Sequence, residues 1–243
     1  MTSNIEYKNY SSAEQAKLFR SFAESLRQPL YQMARTAELG LQTGKTDNLA
    51  DLLIASTSLE RLIDSFVLSL DTASPEAALE LSPVSLSAVL ADVAHLLQPQ
   101  ANALSCDIEL RIAGRYGPVL AHPEGLHAAM IGLGQALLEA RSQQPASKRR
   151  VVTLAAHRTR SGISAGMFSD IQGLTAASLR RGQQLAGTAK QPLNQMMSSG
   201  GAGVFIAGSL LDNMTTGLRA ARYQKMSGLA ATFTPSQQLT LVA

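Results

Sequence analysis

The stretch FRSFAESLRQPLYQMARTAELGL, residues 19–41, is where the reading of this chain begins. Phe19, Phe22, Leu26, Leu30, Met33, Ala37 and Leu41 recur at spacings of three and four. That period places them along one side of an α-helix. Ser11 or Ser12 can cap its start, with Glu14 close behind. Pro29 falls inside the helix, where a missing backbone N–H is expected to kink it. Gly44-Lys45-Thr46-Asp47 reads as a turn carrying a new cap.

A second periodic segment follows. Leu52, Leu59 and Phe66 stand one heptad apart, and Ser56, Ile63 and Leu70 come four residues after each. Leu49, Leu53, Leu62 and Val67 widen this seam. Two amphipathic helices joined by a tight turn make a hairpin, and its apolar face is too wide for one neighbour. Pairing with a second copy buries the excess, so the expected assembly is a homodimeric four-helix bundle.

Composition sets the remaining bounds. Hydrophobic residues make up 45% of the 243-residue chain, enough for a sizeable core. Aromatics are only 5% and Trp is absent, so that core is aliphatic and the Ala- and Leu-rich chain leans helical. The net charge of +3 is small. The basic clusters Lys148-Arg149-Arg150 and Arg180-Arg181 are short and not interleaved with aromatics, which argues against a nucleic-acid site. Cys106 is the single cysteine, so no intrachain disulfide forms, in keeping with a cytoplasmic protein. It opens the alternating run Cys106–Ile112 and reads as a buried strand-start residue. No apolar run approaches the ~18 residues of a membrane span, and Met1–Tyr10 carries no signal-peptide core.

Past residue 72 the pattern changes. Residues 1–72 read as the helical dimerisation hairpin, 73–84 as a Ser-Pro-punctuated linker and 85–243 as an α/β sandwich. Helices are expected around Leu86–Leu97, Pro123–Arg141, Leu174–Leu185 and Val204–Met214. Strands are expected at Ile108–Ile112, Pro118–Ala121, Val151–Ala156, Ile163–Phe168, Leu218–Tyr223, Leu229–Phe233 and Leu239–Val242. Helices on one face of a mixed or antiparallel sheet make the fold class α+β.

Five ordered segments resemble the catalytic core of bacterial sensor histidine kinases, with its dimerisation hairpin and GHKL-type ATPase domain. Ala23-Glu24-Ser25-Leu26-Arg27-Gln28-Pro29-Leu30 stands where that family has Ser-His-Glu-Leu-Arg-Thr-Pro-Leu. Val84-Ser85-Leu86 with Val93–Gln100 resembles the opening of the ATPase domain. His122-Pro123-Glu124-Gly125-Leu126 and Gly132–Ala140 match Asp-Pro-x-x-Leu and Asn-Leu-x-x-Asn-Ala-Leu-Glu-Ala. Asp170-Ile171-Gln172-Gly173-Leu174 lies where the family has Asp-x-Gly-x-Gly, and Gly201–Ala207 resembles Gly-Leu-Gly-Leu-Ala-Ile-Ala. The tail Gly228–Val242 is similar to the closing hairpin. Histidine phosphotransferases share the same two-part build.

The scaffold residues match better than the chemical ones. Glu24 occupies the phospho-acceptor position, and Gly132 and Ala136 replace the two asparagines that hold magnesium and phosphates in the family. No catalytic residue and no metal set is expected. The four histidines, His95, His122, His127 and His157, all lie outside the hairpin. Asp170, Gly173, Gly201 and Gly203 are the cofactor-binding candidates. Residual ATP or ADP binding through them stays open, although no cofactor is expected. Glu24, Arg27, Gln28 and Tyr31 form the expected partner-binding face. The resemblance thus implies a non-catalytic, histidine-kinase-like signalling adaptor of two-component systems, a homodimer that binds a response-regulator receiver domain or a sensor kinase. Two alternatives stand beside it: a divergent ATP-dependent histidine kinase or phosphotransferase of a phosphorelay, and an unrelated nucleic-acid or protein interaction module.

Overall fold

The computed structural model describes residues 12–44, 48–71, 80–142, 150–171, 201–212, 214–215 and 217–236. Helix α1 (Ser12–Thr43) and helix α2 (Asn48–Asp71) come first. Phe22 stacks flat on Phe66 with ring centroids 3.8 Å apart, and Phe19 meets Phe66 edge-on at 5.8 Å. Helix α1 carries Pro29 in its interior and runs on to a left-handed Gly44 (φ 64°), whose N–H donates to the Gly40 carbonyl. A glycine there has no Cβ to strain, and the bond satisfies a carbonyl at the helix end.

The single apolar stripe read on α1 divides in space. Phe22 is buried and Leu26, Met33 and Ala37 are half-buried, whereas Phe19, Leu30 and Leu41 face outward. Helix α2 divides likewise. Phe66 is buried and Leu52, Leu59 and Leu62 are half-buried, while Leu49, Leu53, Ile63, Val67 and Leu70 are exposed. A band of apolar residues broader than one partner helix cannot all reach that partner, so the flanks remain outside.

Strand β1 (Ser82–Val84) falls within the stretch read as a linker, of which residues 73–79 lie outside the described residues. It pairs antiparallel with β3 (Val119–Ala121), and its exposed Pro83 suits an edge strand that needs no N–H donor there. Between them come α3 (Leu86–Ala103) and β2 (Asp107–Ala113). Ser85 caps α3 by accepting from the Ala88 N–H. Helix α4 (Pro123–Ser142) follows β3.

His122, which stands where the resembling family has aspartate, proves to be the cap of α4. Its Nδ1 accepts from the Gly125 N–H at 3.0 Å, and Pro123 takes the first helical position, where a missing N–H costs nothing. The ring is half-buried.

The chain then lays down β4 (Val151–Thr159), β5 (Gly162–Ser169), α5 (Gly201–Asp212), β6 (Arg219–Tyr223) and β7 (Met226–Phe233). The expected segments Leu174–Leu185 and Leu239–Val242 lie outside the described residues. Five strands form one mixed sheet in the order β2-β4-β5-β7-β6. β2 and β4 are parallel, with Leu110 opposite Leu154, and the other pairs are antiparallel.

Period-two alternation sends Val152, Leu154, Ala156, Ile163, Ala165, Met167, Leu229, Ala231 and Phe233 to one face of this sheet. There they share a core with Leu90, Val93 and Leu97 of α3, Leu126, Met130, Leu133 and Leu137 of α4, and Val204, Leu210 and Leu211 of α5. The opposite face is also covered. Ala155, Phe168 and Ala230 form a second cluster beneath Tyr223 and Met226. Tyr223 lies 5.4 Å from Phe168 and 5.9 Å from His157, while Gln224 Oε1 accepts from Arg111 Nη1 at 2.9 Å. The β6–β7 turn thus folds over the sheet and reaches the far edge strand.

Candidate functional site

The segments that resemble nucleotide boxes meet at the crossing of α4 and α5. Gly132 on α4 faces Gly203 on α5 backbone to backbone. A Cβ built on Gly132 would stand 3.1 Å from the Gly203 carbonyl oxygen, and one built on Gly203 would stand 3.1 Å from the Gly132 carbonyl oxygen. An ordinary carbon–oxygen contact across helices is about 3.3–3.6 Å, so neither position has room for a side chain without movement. Ala136, one turn further along α4, is 1% exposed and sits in the core. The two positions where the resembling family keeps asparagines are therefore packing positions here.

Helix α2 approaches the same place. Arg61, Leu62 and Ser65 come together with Gly132, Gln135 and Gly203 around one small void. Beside it a wider groove of about 780 Å³ runs between α2 and the sandwich, lined by Arg61, Asp64, Val67, Val89, Glu124 and His127 among others. Sequence reading missed this groove, because it is formed by residues far apart in the chain. The available signal was the helical periodicity of Leu62, Ser65 and Phe66, which marks the inward side of α2.

Of the residues expected to bind a cofactor, Gly201 and Gly203 lie in the first turn of α5. Asp170 is exposed just past the end of β5, and Gly173 lies outside the described residues. Of the expected partner face, all four positions lie on α1. Arg27 is exposed and Tyr31 is 67% exposed, while the side chains of Glu24 and Gln28 lie outside the described residues. Among the described residues, no group of three or more His, Cys, Asp or Glu is placed to hold a metal ion. No described helix is long and apolar enough to cross a membrane.

No protein-family model and no curated protein matches the chain. Solved structures do. The histidine kinase AdeS of Acinetobacter baumannii superposes with a TM-score of 0.53 at 12% identity, over 87% of this chain and 98% of that one. Full-length ShkA, solved in complex with AMPPNP, gives 0.54 at 15% identity, over 92% of this chain and 46% of ShkA. Histidine kinase ThkA, solved in complex with the response regulator protein TrrA, gives 0.52 at 13%, over 88% of this chain and 60% of that one. The chain has a histidine-kinase-like core. At these identities the likeness is one of fold, and the α+β sandwich with its mixed sheet is the part it establishes.

Within this kinase-like core Cys106 is buried just before β2, as its place in the alternating run implied. Burial pushes the thiol above its ordinary value, and the nearby guanidinium groups of Arg150 and Arg141 only partly offset this. The folded chain therefore holds the thiol proton more tightly than the unfolded chain does. The stability linked to this group is fully present below the ordinary thiol pKa and is lost as pH rises through the folded value. Native Cys106 is expected to react with a disulfide reagent at pH 8 at least ~10-fold more slowly than the thiol of the urea-unfolded chain, as absorbance kinetics will read.

Proposed function

We propose that the chain is a non-catalytic, histidine-kinase-like signalling adaptor. It dimerises through the helices α1 and α2 and binds a response-regulator receiver domain or a partner kinase. The observation that carries this reading is the apolar surface left uncovered on the two helices: Phe19, Leu30 and Leu41 on α1, and Leu49, Leu53, Ile63, Val67 and Leu70 on α2. Monomeric proteins rarely expose apolar side chains so densely on one element pair. A second copy packed against this surface gives a four-helix bundle and removes it from water.

The exposed Arg27 and Tyr31, on the same helix as Glu24, supply a charged and an aromatic contact for a docking partner. The complex of ThkA with TrrA supports a receiver protein as the kind of partner. Three features favour binding over chemistry. A carboxylate at position 24 cannot accept a phosphoryl group as an imidazole does. Gly132 and Ala136 offer no side-chain oxygen to a divalent ion. The approach of α4 and α5 at Gly132 and Gly203 narrows the place a triphosphate would need.

Light scattering on the purified chain, followed by titration with purified receiver domains, tests the reading. A dimer that binds at least one receiver domain without nucleotide is the expected result. A stable monomer that binds none would remove it.

A further inference from the structure

Helix α5 is buried around nearly its whole girth. Ile206, Ala207, Gly208, Ser209, Leu210 and Leu211 are buried one after another, and Val204 is 1% exposed. A helix lying on one layer turns a face to water roughly every fourth residue, so a helix apolar all round needs cover on its second side. On one side it packs on α4, and through that packing it joins the core that includes the sheet. On the other side α1 and α2 both contact α5, and α2 also contacts α4. Phe22 and Phe66 belong to the same continuous core as Ile131, Val204 and Ile206. The glycine pair is what permits this stacking. With no Cβ at 132 or 203 the axes of α4 and α5 come close, and Arg61, Leu62 and Ser65 of α2 reach the seam between them.

We infer that the two N-terminal helices are latched over the α4–α5 crossing, so that they and the sandwich open and unfold as one body. Swinging them away would expose the second side of α5, and the Phe22–Phe66 pair would lose part of its surroundings. The latch also shuts the crossing from the side on which α2 lies.

Hydrogen–deuterium exchange of the full chain, resolved by peptide mass spectrometry, tests this with two variants. Phe66→Ala loosens the hairpin side without touching the glycines. It is expected to speed exchange in residues 203–211 of α5, together with α2, by roughly tenfold or more. Gly132→Asn strikes the crossing itself, and is expected to speed exchange in residues 62–69 of α2 along with α5. Collapse of the sandwich strands in Phe66→Ala would also support the latch, because an independent hairpin would melt alone. Faster exchange confined to α1 and α2 in Phe66→Ala, with α5 unchanged, would overturn it. Should Gly132→Asn fail to fold, Phe66→Ala decides alone.

Discussion

Glutamate at both Ile63 and Val67 is expected to turn the proposed dimer into a monomer. The two side chains are 41% and 49% exposed, so neither is needed to hold this chain's own core. They stand four residues apart, and Leu70 follows three later, so they share one outward side of α2 with Leu49 and Leu53 at its start. Placing two carboxylates there, and two more from the second copy, would bury like charges against one another in the proposed bundle. The penalty for desolvating such charges is several kcal/mol, and each 1.4 kcal/mol is tenfold in affinity, so a dimer Kd raised about 100-fold or more is expected. Sedimentation velocity across a concentration series reads the change. Far-ultraviolet circular dichroism should stay as in the parent chain, since both positions lie outside the fold's interior.

Phe168→Ala should produce the largest loss of stability among changes to the sheet. The ring is fully buried on the sheet face away from the helices, packed with Ala155 and Ala230 and 5.4 Å from Tyr223. Truncating a buried phenylalanine costs about 3–5 kcal/mol, for the transfer lost and the cavity left. For a chain of this size that corresponds to a fall in melting temperature of roughly 6–20 °C. Small neighbours such as Ala155, Gly166 and Ala230 cannot fill the void, so the cost should stand near the upper end. Urea unfolding followed by circular dichroism gives the magnitude. The loss should also free the β6–β7 turn, whose Tyr223 rests on that ring.

Much of the architecture was legible because the chain repeats its signals. The three-and-four spacing of Phe19, Phe22, Leu26 and Leu30 gave a helix, and the alternation from Cys106 to Ile112 gave a strand. What the sequence could not display was which side of each element would be covered, and by what. Val151–Ala156 carries apolar residues on both parities, the mark of a strand buried on two faces, yet its second cover comes from Tyr223 and Met226 some seventy residues later. β1 was missed because three residues with a proline give no period to read.

Gly132 was visible only as an asparagine lost. Its part in the fold, the room it leaves for the Gly203 carbonyl, depends on a crossing of two helices that linear spacing does not encode. His122 was likewise seen as a lost aspartate, although Pro123 and Gly125 behind it carried the pattern of a helix start. In both places a residue that departs from the family's chemistry has a structural task. Cys106, read as a buried strand-start residue, is buried just before β2.

The proposed role is that of a kinase-like core that binds a partner without performing kinase chemistry. The most direct measurement is incubation of the full chain with γ-labelled ATP and magnesium, followed by acid and alkaline treatment of the recovered protein. No stable labelled protein is expected under conditions where an active histidine kinase labels itself. Alkali-stable, acid-labile phosphate on the chain would contradict it.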